Sequence, residues 1–211
     1  MNGTPNEASD DSQGTTDNEH GGMRDSSAVS FEVTADAIPD YEPYIRMLAR
    51  VHARNAYRAK VGASDVVQQV MMQAVTGLDG FRGTTEAEFR GWLRKILAHH
   101  LCHLHRDLHR DKRDIRREQS MEQKIAQSSL RLEHLLCGDG PTPSGVAMAG
   151  ERVLRVAAAI DELPEDQSAA IRLHHLEGLK LAEVAEAMDR SSGSVAGLLH
   201  RGMKTLRERL S

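Results

Sequence analysis

Aromatic side chains are scarce in this chain: one Trp, three Tyr and three Phe make up 3% of its 211 residues. Any core must be built from Leu, Ile, Val, Ala and Met, which suits helix packing better than sheets, where β-branched and aromatic residues are favoured. Cysteine is nearly absent too. Cys102 and Cys137 cannot make a disulfide framework, which fits a reducing compartment. No signal peptide is recognisable, and no apolar run approaches the ~18 residues that a membrane-spanning helix needs. The expectation is a cytoplasmic protein with no membrane segment of its own. Paired carboxylates and nucleophile–base arrangements are also missing, so the chain is not expected to be an enzyme, and no catalytic residue or cofactor is assigned.

What charge there is, is segregated. The net charge of −4 hides nine acidic residues and only Arg24 within positions 1–40, while the other 171 residues hold 26 basic and 22 acidic groups. Residues 1–39 are rich in Ser, Thr, Asp, Asn and Gly and predict a disordered acidic tail, because they have too little apolar surface to offset the entropy of ordering. The modestly basic body is compatible with a nucleic-acid partner.

Helical periodicity runs through the body. Tyr44, Met47, Leu48 and Val51 form one core-facing stripe. A second helix is predicted to start at a Ser64 cap, with Asp65 in its first turn and Val66, Val67, Val70, Met71 and Ala74 on its apolar side. Gly77, Gly80 and Gly83 mark turns before a third helix from about Glu86, carrying Phe89, Trp92, Leu93, Ile96, Leu97, Leu101 and Leu104. Positions 137–150 hold four Gly and two Pro and read as a linker. Beyond it, Pro164-Glu165-Asp166 opens a helix and Gly178 closes it.

The C-terminal segment reads as a helix-turn-helix. Leu181, Val184, Ala185 and Met188 line a short first helix, Asp189 to Ser191 make the turn, and Ser192 is the predicted cap of the second. That helix buries Val195, Leu198, Leu199, Leu206 and Leu210 and shows Ser194, His200, Arg201, Lys204, Arg207 and Arg209. Small polar residues at its N-terminus and basic turns behind suit a major groove flanked by phosphates. The same pattern also suits an ordinary amphipathic helix with a solvated basic face.

Residues 163–210 resemble region 4 of the extracytoplasmic-function RNA polymerase sigma factors. The landmarks are Leu163-Pro164, Leu176-Glu177-Gly178, Glu183-Val184-Ala185, Ser194-Val195, Leu199, Arg201, Leu206-Arg207 and Leu210. Positions 63–75 and 81–97 are similar to region 2, so two blocks occur in the family's order. The resemblance implies an all-α chain of two small helical domains: the tail at 1–39, region 2 at 40–120, a flexible linker at 121–150 and region 4 at 151–211. It implies a factor that binds core RNA polymerase, at the largest subunit's coiled coil and at the flap, and directs promoter recognition; an anti-sigma factor is a further candidate partner.

The same resemblance makes Asp65, Gln68 and Gln69 the core-polymerase contacts, with Gln69 standing where the family usually has an acid. Positions 90–117 hold nine Lys/Arg against three acids and correspond to the segment that melts the minus-10 element. The minus-10 candidates are Arg94, Lys95, His99, His103 and Arg106; His99 and His103 stand where the family favours Asn and Asp. The minus-35 candidates are Ser192, Ser194, Ala196, Gly197, His200, Arg201 and Lys204. Trp92, in phase with Phe89 and Ile96, is expected in the core. One rival is a free-standing helix-turn-helix regulator using only 151–211. Another is a metal site built from His99, Cys102 and His103, with His100, His105 and His109 nearby, but no second ligand cluster completes a tetrahedral set and no metal is assigned.

Overall fold

A computed structural model describes residues 31–53, 62–109, 115–135 and 145–211, without side chains for 107–109 and 145–149. Its described elements are helical. After a 3-10 turn at Ala35–Tyr41 come α1 (Glu42–His52), α2 (Ala63–Gly77) and α3 (Glu86–His109). They are followed by α4 (Ile115–His134), α5 (Gly145–Asp161), α6 (Glu165–Ile171), α7 (Leu181–Met188) and α8 (Ser192–Leu210). A short π-helical turn, Arg172–Leu176, prolongs α6.

The predicted stripes meet. Tyr44, Met47, Leu48 and Val51 of α1 close on Val66, Val67, Val70 and Ala74 of α2 and on Phe89, Leu93, Leu97 and Leu101 of α3, all buried. Trp92 is half-buried and packs with Phe81 and Phe89, each ring centroid 5.5 Å away. A smaller cluster of Ala170, Leu173, Val184, Ala185, Val195 and Leu198 fills the helix-turn-helix.

Three expectations are corrected. Residues 31–39, read as the end of a disordered tail, are packed: Ile38 is buried, and the Phe31 ring lies 6.1 Å from that of Phe89. Much of the predicted linker at 121–150 is helix, since α4 continues to His134 and buries Ile125 and Leu132. The caps also shift. Gly62, not Ser64, precedes α2, its N–H donating to Asp65 Oδ2 at 3.1 Å, and Ser191, not Ser192, caps α8 by accepting from the Ser194 N–H at 3.2 Å.

The largest apolar cluster is continuous from α1–α3 into α5, through Val153, Val156, Ala157 and Ile160. Polar contacts reinforce it: Arg46 and Arg50 of α1 pair with Asp161 at the end of α5, the first at 3.1 Å. Gly150 sits so close above the Glu86 carboxylate that a Cβ there would displace it.

Candidate nucleic-acid interface

The helix-turn-helix owes its shape to local devices. Glu183 Oε2 accepts from the Lys180 N–H at 2.6 Å and starts α7. Asp189 ends it in the left-handed conformation at φ 52°, a strain that Asp tolerates better than most non-glycine residues. The Arg190 N–H then bonds the Ala185 carbonyl at 2.9 Å, and its guanidinium reaches Asp166 Oδ2 at 2.7 Å, anchoring the turn to α6.

α8 is thereby presented with its first two turns outward. Ser192, Ser194, Ala196 and His200 are exposed and Gly197 is half-exposed, while Val195 and Leu198 point inward. Arg201 and Lys204 are exposed on the following turns. The Arg201 guanidinium folds back along the helix; a Cβ on Gly197 would lie 3.2 Å from its Nη1. Gly197 therefore makes a seat for a cation beside the exposed N-terminal turns. Gly202 has a different purpose. A Cβ there would fall 2.7 Å from Ile171 Cδ1, so this glycine lets α6 and α8 approach closely.

α3 starts from a reciprocal cap: Glu88 Oε2 accepts from the N–H groups of Thr84 (2.8 Å) and Thr85 (3.0 Å), while Thr85 Oγ1 accepts from the Glu88 N–H at 3.2 Å. Those backbone and hydroxyl donors hold the Glu88 carboxyl below its usual range. Along α3, Lys95, His99 and His103 are exposed and Arg106 is half-buried. Arg94 is different. It turns inward and donates to Tyr44 Oη at 2.9 Å and to Ser129 Oγ at 3.3 Å, between α1 and α4. The sequence pattern could not show this, because most of the covering helix α4 falls in the stretch expected as linker, 121–150.

On α2, Asp65, Gln68 and Gln69 are exposed on one side, and Met72 (56%) and Val75 (46%) extend that surface with apolar groups. Sequence reasoning passed over these two, although α2 alternates polar and apolar residues along that side at helical spacing. The histidine cluster does not converge: among the described residues no three His, Cys, Asp or Glu groups come together as metal ligands. Cys102 is buried, and burial pushes its thiol up. Cys137 lies outside the described residues, as do residues 110–114 of the basic segment. Among the described residues no helix is long and apolar enough to cross a membrane.

Comparison with known proteins matches residues 154–206, most of α5 through α8, to the family described as Sigma-70, region 4. The "ECF RNA polymerase sigma factor SigE" of Mycolicibacterium smegmatis is 26% identical over 86% of this chain and 66% of its own length. The "ECF RNA polymerase sigma-E factor" of Haemophilus influenzae is 28% identical over 73% of this chain and 77% of its own. A solved structure of CnrH in complex with the cytosolic domain of CnrY is 20% identical, covering 82% of this chain and 84% of that one, at a TM-score of 0.28.

Proposed function

We infer that this chain is an extracytoplasmic-function RNA polymerase sigma factor, one that docks on core polymerase through α2 and carries α3 and α8 to promoter DNA; the match of residues 154–206 to Sigma-70, region 4 and the likeness to two ECF sigma factors support the reading. The observation that carries the reading is the helix-turn-helix: the segment matching sigma region 4 presents an exposed, small-residue N-terminal turn with Arg201 and Lys204 behind it. Base edges are read at such an end, and phosphates are held by the cations that follow. On α2, Asp65, Gln68 and Gln69 supply polar contacts to the polymerase, and Met72 and Val75 supply apolar area that water would otherwise cover. Lys95, His99, His103 and Arg106 line the approach to the melted strand. The protein acts in the bacterial cytoplasm and is not catalytic; nucleotide addition belongs to the polymerase.

The test is transcription by purified core polymerase, with and without the full chain, from a library of duplex and pre-melted templates. Chain-dependent transcripts whose start sites share two upstream sequence elements are expected. Duplex binding by the chain alone, with no transcripts above those of core polymerase, would instead make it a free-standing regulator.

A further inference from the structure

The side of α3 that carries Arg90 and Arg94 is covered by α4, with Tyr41 and Glu86 also facing Arg90. Arg90 is only 5% exposed, its Nη2 lies 3.7 Å from Glu133 Oε1 of α4, and its buried Nε and Nη1 find no acceptor among the described residues. Arg94 ends on Ser129 of α4 and on Tyr44, whose hydroxyl is 2.8 Å from the Ser129 hydroxyl. Further along, His99 Nδ1 stands 4.0 Å from Glu118 Oε1. Glu133 and the Ser129 hydroxyl of α4 thus occupy, one after the other, places that phosphate oxygens would take on a basic helix. The fit is incomplete at Arg90. One loose ion pair leaves two buried guanidinium donors unmet, whereas a phosphate offers several acceptors in the geometry a guanidinium fork prefers.

The opposite side of α4 grips the entrance to the helix-turn-helix. Ser128 Oγ donates to the Leu176 carbonyl at 3.0 Å, and Arg131 Nη1 donates to the carbonyls of Leu176 (3.1 Å) and Glu177 (2.6 Å). Gly178, at φ 80°, follows directly, with no side chain to obstruct Arg131.

We propose that α4 is an autoinhibitory strap: seated, it stands in for promoter phosphates on α3 through Ser129 and Glu133 and ties the helix-turn-helix down, and it leaves when single-stranded DNA takes Arg90 and Arg94. This rests on the reading of the chain as a sigma factor.

The experiment measures binding of the full chain to labelled, mixed-sequence single-stranded DNA at several salt concentrations, with circular dichroism confirming that each variant is folded. Leu132→Ala loosens α4 from the core without changing any charge, and Glu133→Gln removes the acid from Arg90. Both should bind on the order of ten-fold more tightly than wild type, with a salt slope steeper by about 1.4 units for two further phosphate contacts on a single strand. Glu186→Gln, the same charge change at an exposed site on α7, should bind as wild type does. Adding Arg90→Ala to Glu133→Gln should abolish the gain. Unchanged affinity and slope in folded Glu133→Gln would overturn the strap, as would an equal gain in Glu186→Gln; should Leu132→Ala not fold, Glu133→Gln decides alone. Core-dependent transcription by the wild-type chain is scored separately, so a failed sigma-factor reading leaves the binding result to judge the strap.

Discussion

His52 offers a quantitative test of how α1 and α4 are joined. Its imidazole is enclosed between them, with Nε2 3.1 Å from Ser128 Oγ, the same hydroxyl that donates to the Leu176 carbonyl. Burial, with a smaller push from Lys124, lowers its pKa from 6.5 to about 4. The folded pKa lies below the unfolded one, so between those values the unfolded chain binds the proton more readily. The contribution is therefore fully present above about pH 6.5 and is lost as the pH falls toward 4. Between pH 7.5 and 5 this one residue should cost about 2 kcal/mol of stability, or a fall of roughly 4–8 °C in Tm for a chain of this size. Burial also lowers the pKa of His175 and His100, which deepens the wild-type loss. Glu86 is raised by burial and acts in the opposite sense, but only as the pH enters the carboxylate range. His52→Gln keeps a side-chain partner for Ser128 and cannot take up a proton, so its stability should fall about 2 kcal/mol less over that interval. Urea unfolding of both proteins from pH 7.5 to 5 supplies the comparison. Parallel curves would show that His52 is not held neutral between the two helices.

Gly202→Leu should destabilise the chain by about 2–3 kcal/mol by forcing α6 from α8, whereas Gly197→Ala should stabilise it by about 1 kcal/mol; thermal unfolding gives both signs. Arg201→Ala should weaken promoter binding almost equally across a sequence library and flatten its salt dependence by about one unit, whereas Ser194→Ala should change which minus-35 sequences are preferred. Replacing Met72 and Val75 of α2 together with Ser should weaken core-polymerase affinity in a pull-down by about 1–3 kcal/mol while leaving helicity intact, because both side chains are already exposed.

The elements that could be read from the chain were those with dense apolar periodicity. Every three or four residues α1, α2 and α3 carry a large aliphatic or aromatic group, and burial follows that stripe. α4 escaped because its buried side is mixed. Ile125 and Leu132 are interleaved with Ser128 and Ser129, polar residues whose burial is possible only because Leu176, Tyr44 and Arg94 provide partners from elsewhere. No local pattern announces such a helix, because those partners lie 35 to 85 positions away along the chain. The same omission misplaced Arg94, whose position on a basic helix was legible and whose direction was not. Phe31 and Ile38 are hidden in a segment dominated by acids and small polar residues, although Phe31 packs beside Phe89 and buried Ile38 and Tyr41 seat the 3-10 turn, the Tyr41 ring 4.9 Å from that of Phe89. The two α8 glycines look alike in sequence and differ only in what faces them: Ile171 at Gly202, and Arg201 at Gly197.

The strap must be firm enough to hold in the free chain and weak enough for a partner to release. Lifting α4 exposes Ile125 and Leu132, each worth about 1.5–3 kcal/mol, and breaks the bonds to Leu176, Glu177, Arg94 and Tyr44, each worth about 0.5–1.5 kcal/mol net. A gap of that size leaves the open form a small minority of the free protein. Single-stranded DNA that takes Arg90 and Arg94 recovers part of the cost, so it displaces the strap from the free chain, but only weakly. Moving a two-state equilibrium from mostly closed to mostly open takes roughly 5.5 kcal/mol of preferential binding, and a partner that engages α2 and α8 at once can supply it only by favouring the open arrangement. For a sigma factor that partner is core polymerase. Promoter binding by the isolated chain should accordingly be weak, and core polymerase should strengthen it by more than the added phosphate contacts account for.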